Sequence, residues 1–214
     1  SDAVAARRSI RSFLDTPVSD DAIRELLAKS ARAPSGGNVQ PWQIQVINGA
    51  RMQDFLNHLS AHQSRETPAY DIYPKDLPSP YRDSRFKVGE DMYGLLGIPR
   101  DDKAARFAHL ARNFEVFGAP AAFFCLIDEN MGPPQWSDLG MFLQTFMLLA
   151  QEAGIDTCAQ EAWATRPKAV TSFLQTPDNL MLFCGMAIGY RNPSAPVNTL
   201  VSDRMPLDSW ATWA

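Results

Sequence analysis

Three cysteines in 214 residues, at positions 125, 158 and 184, are odd in number and too widely spaced for a disulfide frame. They fit reduced thiols, and with them a cytoplasmic protein. The histidines are as few: His58, His62 and His109 form no metal box with the cysteines. His58 and His62 stand at i, i+4, a spacing that chelates a metal on some helices and is merely the polar face of many others. No metal is expected. No apolar run approaches the roughly 20 residues of a membrane span, so a membrane is not an expected partner. Nor is nucleic acid, because a net charge of −4 offers a phosphate backbone no attraction. The opening "SDAVAARRSIRSF" has neither an apolar signal core nor an initiator Met, and reads as trimmed or partly tag-derived. Gly-x-Gly-x-x-Gly, P-loop and serine-elbow motifs are all missing. So are internal repeats and low-complexity segments.

What is present suits one substantial core: 45% hydrophobic and 21% charged residues, with no linker in sight. Residues 3–13 read as a short helix. In "TPVSDDAIRELLAKSARA", Ser19 is an N-cap, acids fill the first turn, and Ile23, Leu26 and Leu27 recur at helical spacing. "WQIQVIN" alternates as a strand, and "GARMQDFLNHLSAHQSRE" is an amphipathic helix. Residues 67–88 are rich in Pro and Tyr and read as an irregular insertion of the kind that serves as a lid or binding segment. "GEDMYGLLGI" and "RDDKAARFAHLARNFEVFG" are helical. "APAAFFCLID" is a strand. "SDLGMFLQTFMLLAQEAG", apolar on nearly every side and stopped at Gly154, reads as a buried central helix. "IDTCAQ" and "NLMLFCGMAIGY" are strands around the helix "RPKAVTSFLQ". The tail from Asn192 has no core periodicity, yet it carries Trp210 and Trp213. Two helices precede the first strand, which makes this an α+β sandwich rather than a βαβ winding.

Two stretches carry candidate chemistry. "RRSIRSF" puts Arg7 and Arg11 on one helical face with Arg8 and Ser9 between them, a set of guanidinium forks and a hydroxyl suited to phosphate. A solvated basic face has the same composition. "APSGGNVQPW", residues 33–42, is over-equipped for a helix-to-strand turn. Gly36 and Gly37 let backbone approach a ligand, while Ser35, Asn38 and Gln40 offer polar groups to a planar heterocycle. Pro34 and Pro41 stiffen the loop. By itself it is also explicable as turn chemistry.

In this order and spacing, "RRSIR" and "APSGGNVQPW" resemble the N-terminal signature of the FMN-dependent nitroreductase family. "NFEVFGAPAAFFCLID", "GIDTCAQEAW" and "MAIGYRNPSAPVNTLVSDRMPLDSW" continue the likeness over most of the chain outside residues 60–105. The resemblance implies a three-layer sandwich: a central, mostly antiparallel sheet flanked by helices, in a homodimer that exchanges its C-terminal tails. The chain would be a single FMN-binding domain, residues 1–214, with a variable substrate cover at about 60–105. Arg7, Ser9 and Arg11 would hold the FMN phosphate, with Arg8 adjacent and Arg204 closing on it. Ser202 stands where many relatives have a base.

Pro34, Ser35, Gly36, Asn38 and Gln40 would reach an FMN bound mainly by the partner. The backbone of Ala159, Gln160, Glu161 and Ala162 would face flavin N5, and Arg112 or Asn113 the pyrimidine side. The implied activity is a ping-pong, two-electron hydride transfer from NAD(P)H through FMN to a nitroaromatic, nitrobenzoate-like acids included, or to a quinone. No side chain is assigned as a catalytic acid or base, and Cys158 reads as a buried small residue.

In the insertion, Tyr70, Tyr73, Tyr81, Phe86 and Tyr93 would stack on an aromatic substrate, while Arg82, Arg85 or Lys87 would meet a carboxylate. The alternative places these aromatics in packing. Two other functions stay open: a reductive dehalogenase resembling iodotyrosine deiodinase, for which Glu90 and Tyr93 fit but Glu115 stands where a Lys is wanted, and a flavin-binding protein without turnover.

Overall fold

The computed structural model describes residues 2–213, and its centre is a four-stranded antiparallel sheet. The strands are β1 (Gln43–Asn48), β2 (Ala121–Asp128), β3 (Asp156–Gln160) and β4 (Leu180–Gly189), in the order β1-β2-β4-β3. The inner strands are therefore β2 and β4, which explains their unbroken apolar sequence: both faces are covered. Along β2 the side chains alternate between two cores. Ala122, Phe124 and Leu126 join Phe55, Trp163 and Val170 on one side. Phe123, Cys125 and Ile127 join Ile23, Leu139 and Phe146 on the other. Cys125 faces Cys184 across β2 and β4, and both are free, buried thiols.

Helices α3 (Ala50–Ala61) and α7 (Pro167–Leu174) cover the first face. Helices α2 (Asp20–Ser30) and α6 (Pro133–Glu152) cover the second, giving three layers. The start of α2 follows its sequence signal, with the Ala22 amide donating to Ser19 Oγ at 3.2 Å. Gly185 is fixed by packing. A Cβ there would lie 2.7 Å from Nε1 of Trp163, so the ring sits directly against the strand backbone.

Four expectations need correcting. Helix α1 spans only Asp2–Ala6, and residues 7–13 run extended. There Ser9 bridges Thr157 and Phe13 bridges Arg191, with Ile10 fully buried and Phe13 nearly so. A helix through residue 13 would have stacked Arg7 on Arg11 at i, i+4 and given up that pairing. Helix α6 is not buried all round. Leu139, Phe142 and Phe146 face the core, while Gly140, Met141 and Gln144 are exposed.

Helix α4 (Tyr81–Leu95) begins inside the stretch expected to be irregular. Its first half, residues 81–87, is exposed, so no apolar period announced it there, while the part from Gly89 matches the helix expected; polar pairs such as Lys87–Asp91 at 2.7 Å decorate it. Helix α5 (Lys103–Ala111) stops before residue 112. Val116 and Phe117 then adopt left-handed φ angles of 45° and 55°. The turn buries both side chains and lets the Phe117 carbonyl accept the Phe13 amide at 3.2 Å.

Candidate functional site

Because residues 7–13 are extended, alternate side chains point opposite ways. Ile10 enters the core, while Arg7, Ser9 and Arg11 line a cavity of about 530 Å³. The segment is held in register by the Ile10 amide, which donates to the Thr157 carbonyl at 3.0 Å. Asn198 fixes its far end: Oδ1 accepts the Arg11 amide at 2.9 Å, and Nδ2 donates to the Ser12 and Asn192 carbonyls at 2.8 and 3.0 Å. The chain beyond Asn198 returns along the cavity, adding Ser202 and Arg204, and Arg8 completes the cationic lining. Val88 of α4 and Gln144 of α6 form other walls.

Among the described residues no acid lines this cavity, and none of Arg7, Arg8, Arg11 or Arg204 makes a salt bridge. Their recorded hydrogen bonds go to nearby backbone and Ser202: Arg8 to the Ala5 carbonyl at 2.7 Å, Arg11 to the Ser9 carbonyl at 3.2 Å, Arg204 Nη1 to Ser202 Oγ at 2.8 Å. Burial, and then the charges of Arg204 and Arg8, hold the Arg7 guanidinium below its ordinary range. Crowded cations without a counter-ion, beside a serine, make a donor set that fits a phosphate.

Strand β3 leads from Thr157, beside Ser9, to Gln160 about 10 Å further on. Gln160 is buried, and its side chain is committed to structure. Nε2 donates to the Asn113 carbonyl at 2.8 Å, and Oε1 accepts from Trp163 Nε1 at 3.3 Å. The structure thus joins Asn113 to Gln160. Ala159 and Glu161 stay exposed and Ala162 half-buried. Partial desolvation of the Glu161 carboxyl raises its pKa. Neither these residues nor Arg112 lines the arginine cavity. Cys158 is buried, which pushes its thiol up to about 11.

Pro34, Ser35, Gly36, Asn38 and Gln40 do not line the arginine cavity of their own chain either. Much of the loop's polarity is turn chemistry. Ser35 Oγ accepts the Gln40 amide at 3.0 Å, and Gln40 Nε2 reaches the Asn38 carbonyl at 3.4 Å. The Gly36 amide, expected to be open to a ligand, donates instead to the buried Asp138 carboxylate at 3.2 Å. The Asn38 side chain remains exposed, on a backbone at φ 57°.

In the insertion, several expected substrate groups are already engaged. The Tyr70 hydroxyl donates to the Phe183 carbonyl and its ring packs on Trp136. Arg82 pairs with Asp83 at 3.1 Å. Glu90 is gripped by Arg106, whose guanidinium also covers the Tyr93 ring at 4.2 Å. In the single chain, Glu90 and Tyr93, the residues the dehalogenase alternative invoked, are thus both engaged by Arg106. Arg85 lies 4.0 Å over the exposed Tyr73 ring, with no carboxylate partner among the described residues. His58 Nε2 faces the Ala169 carbonyl, which can only accept, at 3.0 Å and Ser172 Oγ at 3.2 Å, and no described cluster is suited to a metal.

The family model described as "Nitroreductase family" matches residues 4–190. The chain belongs to the nitroreductase family. It is similar to a 4-nitrobenzoate reductase of Pseudomonas putida, with 39% identity over 95% of this chain and 88% of the relative. It is also similar to a nitrobenzene nitroreductase of Ectopseudomonas oleovorans, with 33% identity over 99% and 95%. Among solved structures, an FMN- and NADPH-dependent nitroreductase, NfnB from Sphigopyxis sp. strain HMH, superposes with a TM-score of 0.95 at 44% identity. That match covers 100% of this chain and 97% of the other.

Sequence reasoning missed Asn198 and Asp138, which hold the arginine segment and the 33–42 loop in place, and Gln144, which lines the cavity. Asp138 had a readable signal, being an acid among the core-facing apolar residues of a helix. Asn198 and Gln144 had none, because an isolated amide in a polar tail or on a helix surface is unremarkable until the fold places it.

Proposed function

We propose that this chain is an FMN-dependent nitroreductase that uses NAD(P)H to reduce nitroaromatic compounds, nitrobenzoates among them. The observation that carries the reading is the cavity ringed by Arg7, Arg8, Ser9, Arg11 and Arg204, whose guanidinium groups have no carboxylate among the described residues to neutralise them. The phosphate of FMN supplies the missing anion. The similarity to two reductases named for nitrobenzoate and nitrobenzene, and to an FMN- and NADPH-dependent enzyme, supports the substrate and cofactor.

When bound, FMN would supply the hydride-transfer chemistry that none of the side chains lining the cavity provides. The protein's own work is binding and orientation. Arg7, Arg11 and Arg204 fix the phosphate through charge-assisted hydrogen bonds. Asn198 holds Arg11 in place, and residues 159–162, at the end of the β3 edge beyond Ser9, would present their backbone to the flavin. The protein acts as a homodimer with exchanged tails. Supporting this, Trp210 and Trp213 are 66% and 80% exposed in the single chain, and the outer face of α6 and the loop around Asn38 are also uncovered. Three free, buried thiols suit the reducing cytoplasm. No helix among the described residues is long and apolar enough to cross a membrane.

The test is anaerobic. The FMN-loaded protein is mixed with NADPH or NADH and then with 4-nitrobenzoate, while the flavin absorbance is followed. Bleaching by the nicotinamide and recovery with nitrobenzoate are expected. Absence of bleaching would overturn the reading in favour of flavin binding without turnover.

A further inference from the structure

Next to the arginine cavity lies a second groove of about 380 Å³ that shares Val88, Ser202 and Arg204 with it as a common wall. The cavity itself has no acidic lining, but the groove has two carboxylates, Asp91 on α4 and Asp203 on the tail. Both meet the same ammonium. Lys87 Nζ lies 2.7 Å from Asp91 Oδ2 and 2.9 Å from Asp203 Oδ2.

Asp203 directly precedes Arg204, whose Nη1 already takes the Asp203 carbonyl at 2.8 Å. With Lys87 gone, the adjacent guanidinium is the cation that the Asp203 carboxylate has beside it in sequence. A carboxylate there would either occupy Arg204 or oppose an incoming phosphate. Both effects weaken anion binding, and both are electrostatic.

We infer that Lys87 is a positioning residue of the anion site, holding Asp91 and Asp203 so that the arginines stay free for a phosphate. This rests on the reading that the cavity takes the phosphate of FMN. The hydrogen bond to Asp91, and then that to Asp203, raises the Lys87 pKa, so the ammonium stays charged at physiological pH. The three side chains are exposed, at 57%, 39% and 67%, so the pairs contribute little to folding, and their loss leaves the protein intact for measurement.

The experiment measures FMN dissociation constants for Lys87→Ala, Lys87→Arg, Asp203→Asn and the Lys87→Ala/Asp203→Asn double variant, with riboflavin as the probe that has no phosphate. At low ionic strength Lys87→Ala weakens FMN about fivefold, and the difference fades in about 0.5 M salt. Lys87→Arg stays within about twofold of the parent, because it keeps the charge. The double variant recovers to within about twofold, and riboflavin binds all of them alike. Unchanged FMN affinity in Lys87→Ala overturns the inference. So does a loss that persists in high salt and in the double variant, because that is the signature of a tail merely pinned in place. If the unsubstituted protein does not bind FMN, the functional reading itself falls; if it does and these variants do not differ, only the role of Lys87 falls.

Discussion

The Gly36 amide donates to both oxygens of the Asp138 carboxylate, at 3.2 and 3.3 Å, tying the loop at residues 33–42 to α6. One helical turn on, Phe142 stacks on Trp42 with ring centroids 4.9 Å apart. Residues 138 and 142 lie on one face of α6, so the helix grips the loop at both ends. Gly36 is exposed, so water can replace the carboxylate as its partner. Asp138→Ala should therefore change urea-unfolding stability by less than about 1 kcal/mol. The same substitution should weaken FMN retention on dilution about tenfold, equivalent to about 1.4 kcal/mol, because the loop loses its shape. Asn38→Ala should weaken retention without changing the molecular mass seen by light scattering. Unaltered retention in both variants would reduce the loop to turn chemistry.

The packing of Trp163 on Gly185 yields a prediction about stability alone. Because a Cβ at 185 would stand 2.7 Å from Nε1 and 3.2 Å from Cγ of a buried indole, neither group has room to yield. Gly185→Ala should lose about 2 kcal/mol in denaturant titration. A variant as stable as the parent would mean that the indole shifts freely.

His109 predicts how stability depends on pH. The residue is 7% exposed, its Nε2 has no hydrogen-bond partner among the described residues, and its ring packs edge-on against Tyr93. Burial first, then the charges of Arg112 and Arg11, lower its pKa below the ordinary 6.5. With the folded value depressed, the unfolded chain takes up the proton first, so this group removes stability as pH falls below about 6.5. In His109→Phe that part of the acid-side loss should disappear, leaving a flatter denaturation midpoint between pH about 7 and about 5. An identical acid slope in both proteins would assign the loss to other groups.

Substrate discrimination is predicted from the insertion. Arg82 and Lys87 already have carboxylate partners, whereas Arg85 is stacked on Tyr73 without one. Arg85→Ala should raise KM for 4-nitrobenzoate about tenfold while leaving nitrobenzene nearly unchanged, the loss of one charge-assisted contact. Arg82→Ala should have little effect on either. Equal effects on both substrates in Arg85→Ala would remove this residue from carboxylate recognition.

How much of this was legible in the sequence depended on which physical signal each element emitted. Strands β1 to β4 and helices α2, α3 and α7 were legible because burial imposes a period or an unbroken apolar run, and Ser19 supplied a cap. The first half of helix α4, residues 81–87, was hidden because it is exposed, whereas the stretch from Gly89 already read as helical. Residues 7–13 were misread because an Arg pair at i, i+4 is indistinguishable in one dimension from two guanidinium groups on the same side of an extended segment. The arginines and Ser9 were nonetheless picked out, since their chemistry did not depend on the secondary structure. What one chain could not announce was tertiary: Asn198 meeting Arg11, Asp138 meeting Gly36, and α4 beside the tail.

The central claim is that the arginine cavity binds FMN through its phosphate. The measurement that addresses it most directly is the ratio of FMN to riboflavin affinity in the parent and in Arg7→Ala/Arg204→Ala. The two ligands differ only in the group these residues would hold. The account predicts a parent preference for FMN of at least about a hundredfold, falling to within about tenfold in the double variant, with riboflavin affinity unchanged. Equal binding of the two flavins by the parent, or an FMN preference that survives loss of both arginines, would contradict it.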